Sequence, residues 1–368
     1  MSEIKVNSIK GVGASSAAIT IDNASGTCTA NITNNLSNRN LIINGAMQVA
    51  QRGTSSTANG YGSVDRFSVE YNGADEASTQ SQVDVASGTT PYILGFRKAL
   101  RVTNGNQTNG AGSGDYIQIM QRVEAQNMAT SGWNYVSSSS FITLSFYIKS
   151  SVAQAFSGSI RSHDGTSYSY KFDTPTLSAD TWTKVTKTIP GNSNLTFNND
   201  NGNGLSIYLY PFIGTTYTSA NSNTETWVTS TSSTYANNMT STWWTTNDAT
   251  LEITGVQFEV GSVATDFEHR TFGQELALCQ RYYHKLSSSD NKIILFADYN
   301  NSTNNFWANI TLPVTMRAAP TLSYSGFEGG AQTSLDSSST SKYYLNLQVS
   351  NGATYIGNST VIEAIAEL

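Results

Sequence analysis

Residues 141–150 read FITLSFYIKS, and this stretch decides the fold class. Ile142, Leu144, Phe146 and Ile148 share one parity; Thr143, Ser145, Tyr147 and Lys149 share the other. Side chains of a strand point alternately to opposite faces, so a period of two sends the aliphatic set to a core and the polar set to an outer face. The same reading holds for Leu205, Ile207 and Leu209 against Ser206, Tyr208 and Tyr210. It holds again for Leu345, Leu347 and Val349 against Tyr344, Asn346 and Gln348. Turn-forming clusters such as NNDNGNG at 198–204 separate the runs. An all-β sandwich or barrel is expected.

At 250–261 the apolar parity flips: Leu251 and Ile253 lie on one side of Gly255, and Val256, Phe258 and Val260 take up the other phase beyond it. Two readings fit, a β-bulge or sheet-changing strand that needs a glycine, and two short strands that meet there. One helix interrupts the β pattern. From Thr271 the run TFGQELALCQRYYHKL sets Phe272, Leu276, Cys279 and Tyr283 at helical spacing, with Thr271 and Gln274 placed as a capping box. Cys279 then reads as a small buried apolar group. The chain divides into a polar segment 1–38, a sandwich-sized unit 39–270, a linking helix 271–285 and a second β-sandwich-like unit 286–368. Segment 1–38 has too few large apolar residues for a core of its own, which calls for another surface.

Charged residues are only 12% of the chain and the net charge is −6. With no Lys/Arg cluster, the electrostatic footprint of nucleic-acid binding is missing. No segment has the apolar length of a membrane span or an export signal. Cys28 and Cys279 match no metal or redox spacing, and His163, His269 and His284 form no relay or ligand set, so neither a cofactor nor an enzymatic activity is expected. His269 reads as a linker residue.

Several motifs resemble one family. NLIINGAMQVAQRGTS, followed by VDRF at 64–67, and later EITGVQFEVGSVATDFEHRTFGQELALCQRYYHK bracket the central unit. Together with ITLSFYIKSS and DTWTKVTKTIPG they resemble the jelly-roll module of phage tail-fibre and appendage proteins, which is similar in architecture to carbohydrate-binding modules. LPVTMRAAPTLSYSG and IEAIAEL resemble the C-terminal units that follow it, and SEIKVNSIKG is similar to the virion-attachment ends of marine phage fibres. The resemblance implies a central jelly roll in a homotrimeric virion structural protein, made in the host cytoplasm. It further implies attachment to other virion proteins through 1–38, on the tail or the capsid, and contact with the host surface. Two rivals stand beside a glycan-binding fibre: a purely architectural capsid fibre or adaptor, and a polysaccharide-degrading enzyme.

Candidate binding residues are aromatic. Trp227, Tyr235, Trp243 and Trp244 fall in a stretch otherwise made of Ser, Thr and Asn, and Tyr208 and Tyr210 point away from the inward parity of their strand. Aromatic faces rimmed by amides and hydroxyls suit sugar rings; packing at the sandwich edge or between subunits is the competing reading. If 243–244 is a strand, at most one of the two tryptophans is buried. Asp200, in the NNDNGNG loop, is the weak candidate for a structural Ca²⁺, against a plain Asn/Gly turn.

Overall fold

The structure is a computed structural model that describes residues 8–9, 19–21, 28–30, 39–219, 223–287, 297–300, 305–329, 341, 343–350 and 354–368. Its centre is a sandwich of two six-stranded antiparallel sheets. The first runs in the order Trp227–Thr229, Tyr168–Asp173, Ser157–Ser162, Asn203–Ile213, Tyr116–Glu124, Ser68–Asn72. The second runs Thr183–Pro190, Phe141–Ser150, Thr250–Val260, Lys98–Thr103, Thr79–Asp84, Ser55–Ser56. The chain crosses repeatedly between the two sheets, as in a jelly roll. Ile142, Leu144, Phe146 and Ile148 do face the interior, where they pack with Ile160, Phe172, Leu251 and Phe258 in one continuous core.

The parity flip at Gly255 is a bulge inside one unbroken strand. Thr254 pairs with Tyr147 and Gln257 with Ser145, so two residues oppose Phe146 alone. Gly255 sits at φ +63°. An added Cβ there would come within 2.7 Å of the Phe96 ring, so glycine is required both by the backbone and by the close approach.

The helix is shorter than the sequence pattern implied. It spans Phe272–Gln280 behind the expected Thr271/Gln274 capping box, and Tyr283 already belongs to the strand Tyr283–Ser287. Its inner face also differs: Phe272 is 55% exposed, whereas Glu275 and Cys279 are buried. Glu275 is drawn inward because its carboxylate accepts from the Asn44 amide and pairs with Arg270 at 3.5 Å. Cys279 is a free, buried thiol whose pKa burial raises well above its usual value.

Beyond the helix, Tyr283–Ser287, Thr354–Ile365 and Thr321–Gly329 form one three-stranded sheet, and Ala297–Asn300, Asn305–Thr311 and Tyr344–Ser350 form another. The junction with the sandwich is ionic. Glu367 pairs with Arg52 at 3.1 Å and with the fully buried Arg66. Arg281 grips Glu124 with two hydrogen bonds of 2.8 and 2.9 Å, and Tyr282 Oη donates to the same carboxylate at 2.6 Å. Burial pushes the Glu124 pKa up, but these donors outweigh it and hold the group below its ordinary value. Of segment 1–38 the described residues form three short antiparallel strands, Ser8–Ile9, Ile19–Ile21 and Cys28–Ala30, on which Ile9 is 53% exposed. The expected attachment motif in SEIKVNSIKG lies mostly outside the described residues.

Candidate functional site

The six aromatics singled out by sequence do not form one platform. Trp243 and Trp244 occupy a single helical turn, Thr242–Thr245, not a strand, and both are 0% exposed. Neighbours in a helical turn are not sent to opposite faces, so both rings can be buried together. The turn is held by Asn104, whose amide donates to the Trp244 and Thr246 carbonyls at 2.6 and 3.1 Å. Trp243 Nε1 donates to Thr250 O at 3.1 Å, Trp244 Nε1 to Gly110 O at 2.6 Å, and the Trp244 ring packs on Phe212. Trp227 is also in the core, stacked near Tyr170 with its indole N–H on Pro190 O at 2.7 Å. These three rings are packing elements, and none offers a face to a ligand.

Tyr208 and Tyr210 do lie on the outer face of the first sheet, yet both are buried. The segment after Ile213 folds back over them, so that Tyr217, Tyr235, Ala236 and Met239 cover the tyrosines. Tyr210 Oη lies 3.0 Å from Ser159 Oγ, and the Tyr208 and Tyr210 rings run parallel at 6.0 Å. Tyr235 is half-buried and stacks on Tyr217. The structure thus brings Tyr208, Tyr210 and Tyr235 together as a covered ladder.

The open site lies on the other sheet. A cleft of about 390 Å³ is lined by Leu94, Phe96, Ser145, Tyr147, Lys184, Gly255, Thr265, Asp266, Phe267 and His269. Its aromatic wall is a packed cluster. Phe96 meets Phe267 edge-on at 4.9 Å, Tyr147 at 5.9 Å and His269 at 5.2 Å. His269, expected to be a mere linker residue, is fixed in this wall by a 2.9 Å contact between its Nε2 and Leu94 O. Trp182 packs against the same cluster, and Lys149 Nζ lies 5.2 Å over its ring. The bulge supplies the floor, because Gly255 without a side chain lets the strand pack directly on the buried Phe96 ring. Burial, reinforced by the Asp266 charge, raises the Tyr147 phenol pKa, so the hydroxyl stays a neutral donor and acceptor. Lys184, Asp266, Thr265 and Ser145 add polar groups to the lining. This arrangement presents a ring face beside hydrogen-bonding groups, the two requirements of a sugar ring.

The signal for this site was in the stretch 141–150. Tyr147 is the one aromatic on the outward parity of 142–149, and the phase break at Gly255 marks the neighbouring strand. Phe267 and His269 lie in an irregular segment, where no periodicity announces which way a side chain points.

Asp200 serves a turn. Its Oδ1 accepts from Gly202 N at 2.9 Å and its carbonyl from Gln126 N at 2.9 Å, while Asn201 O accepts from Arg317 at 2.8 Å and docks the loop on the C-terminal unit. Among the described residues no three His, Cys, Asp or Glu side chains converge as a metal site.

No family model matches the chain, and no curated protein does. Among solved structures, the enzymatically active domain of tailspike protein 4 of bacteriophage CBA120 aligns at 11% identity and TM-score 0.32. That alignment covers 60% of this chain but only 21% of the tailspike chain. The N-terminal cellulose-binding domain of Cellulomonas fimi β-1,4-glucanase C aligns at 12% identity and TM-score 0.28, over 59% of this chain and 99% of that one. A family 11 carbohydrate-binding module from Clostridium thermocellum, in complex with a mixed-linked tetrasaccharide, aligns at 13% identity and TM-score 0.26, over 58% and 98%. The sandwich itself rests on the strand pairing of its two sheets.

Proposed function

We propose that this chain is a non-enzymatic, glycan-binding subunit of a phage virion appendage, working as a homotrimer. The observation that carries the binding reading is the cleft on the second sheet, where Tyr147, Phe267 and His269 present aromatic surface beside Lys184 and Asp266. Binding is favoured over hydrolysis because Asp266 is the one carboxylate among the described lining residues, whereas glycosidic cleavage ordinarily uses two flanking the bond. The virion role is supported by the fibre-like motifs of the sequence and by the low charge of the chain. Trimerisation is supported by segment 1–38, which is poor in large apolar residues and on whose described strands of two and three residues Ile9 is 53% exposed; neighbouring chains would supply the missing core. Three weak, identical clefts then act together through avidity.

The test is a glycan array probed with the intact protein, alongside sedimentation at micromolar concentration. Binding to a defined set of neutral glycans by a trimer is the expected result. A trimer that binds no glycan points to an architectural subunit, and a stable folded monomer removes the trimeric reading.

A further inference from the structure

On the outer face of the first sheet, away from the cleft, the Arg161 guanidinium is held between two aromatic rings, 3.6 Å over Tyr208 and 4.0 Å from Tyr235. Every other arginine that stacks this closely on a tyrosine among the described residues also has a hydrogen bond: Arg52 and Arg66 to Glu367, and Arg97 to the Tyr92 carbonyl. Among the described residues the Arg161 side chain has neither an ion pair nor a hydrogen bond, and its buried Nε has no partner. The rungs beside it are small. Arg161 pairs across the sheet with Ser169 and Ser206, and Ser206 pairs with Arg122 one strand further on. The row therefore reads serine, arginine, serine, arginine. Burial first, then the Arg161 and Arg122 charges, push the His163 pKa down to about 4.

A guanidinium clamped on both faces has lost its rotamer freedom before any ligand arrives, and its N–H groups can act only in its own plane. The partner that fits is planar and bidentate, a carboxylate that continues the guanidinium plane between the same two rings. We propose that Arg161 is the centre of a second binding site, which takes the carboxylate of an acidic sugar. The oxyanion preference stands on Arg161 alone; the sugar as its carrier rests on the glycan-binding reading.

The test uses the full chain and a hexuronic-acid oligosaccharide, with its methyl ester and a sulfated oligosaccharide of equal length as controls. Titration calorimetry on wild type should show binding of the acid, at least tenfold weaker binding of the ester, and weaker binding of the sulfate. Arg161→Gln should lose the acid by tenfold or more, and Arg161→Lys should lose less. Equal binding of acid and ester, preference for sulfate, no binding of the acid, or undiminished binding in Arg161→Gln each overturns the proposal. Acid binding that depends on Arg161, in a protein that fails to bind neutral glycans, keeps this site and removes the cleft.

Discussion

The two outer faces of the sandwich treat their aromatic residues in opposite ways. On the first sheet Tyr208 and Tyr210 are roofed by the segment after Ile213, and the continuation of that segment buries Trp243 and Trp244 in the core. On the second sheet Tyr147, Phe96 and Phe267 line a cleft with no such roof. The difference lies in the path the chain takes on leaving each strand. More than thirty residues separate Asn203–Ile213 from Thr250, and among them Tyr217, Tyr235, Ala236 and Met239 pack over its outer face, whereas Phe141–Ser150 leads within a few residues to Ser157 on the opposite sheet. An aromatic on an outward parity thus offers its own open face to a ligand only where the chain does not come back over it.

The sharpest way to break this comparison is to truncate the roofed side. Trp243→Ala and Trp244→Ala should each destabilise the protein by about 3–5 kcal/mol, since each deletes a fully buried ring and its indole hydrogen bond. Denaturant melts measure this, and a loss below about 1 kcal/mol in either variant would show that the segment is loosely seated.

Acid should act on the first face next. The folded-state His163 pKa, about 4, lies below its ordinary value of 6.5, so between these limits the unfolded chain binds the proton more tightly. The contribution of His163 is therefore fully present above pH 6.5 and is lost as pH falls through 6.5 towards 4, by about 3 kcal/mol in all. The stability difference between wild type and His163→Gln, followed across that window, should change by this amount. A constant difference would mean that His163 is neither buried as described nor disfavoured as a cation by Arg161 and Arg122.

A smaller effect is expected on the open face. Gly255→Ala places a Cβ at φ +63° and 2.7 Å from Phe96, which should cost about 1–3 kcal/mol and disturb the cleft floor. Ligand affinity and melting temperature should fall together; an unaffected melting temperature would mean that the bulge can be relieved at no cost.

These contrasts also mark what the sequence makes legible. Alternation at 142–149 and 205–210 identifies strands and their inward sets, because burial on one face imposes a period of two. The capping box at Thr271 and Gln274 locates a helix start to the residue, since it is a local hydrogen-bonding device. The helix end is not legible in the same way, because Tyr283 fits the helical spacing equally well and only its pairing with Ile365 decides otherwise. The burial of both tryptophans is hidden for a related reason: their turn is fixed by Asn104, well over a hundred residues earlier, and no local pattern carries that contact. The cleft is non-local in the same sense, joining Phe96, Tyr147 and Phe267 from three separate parts of the chain.

The central claim, that the open face binds a glycan while the roofed face supplies stability, is tested most directly on Tyr147. Titration of an array-selected neutral oligosaccharide into wild type and Tyr147→Ala, with melting curves on both, separates the two roles. Tyr147 is only half-buried, so its truncation should leave the melting temperature nearly unchanged while removing about 1–3 kcal/mol of binding, roughly a fivefold to 150-fold loss of affinity per site. Unchanged affinity in Tyr147→Ala would contradict the account.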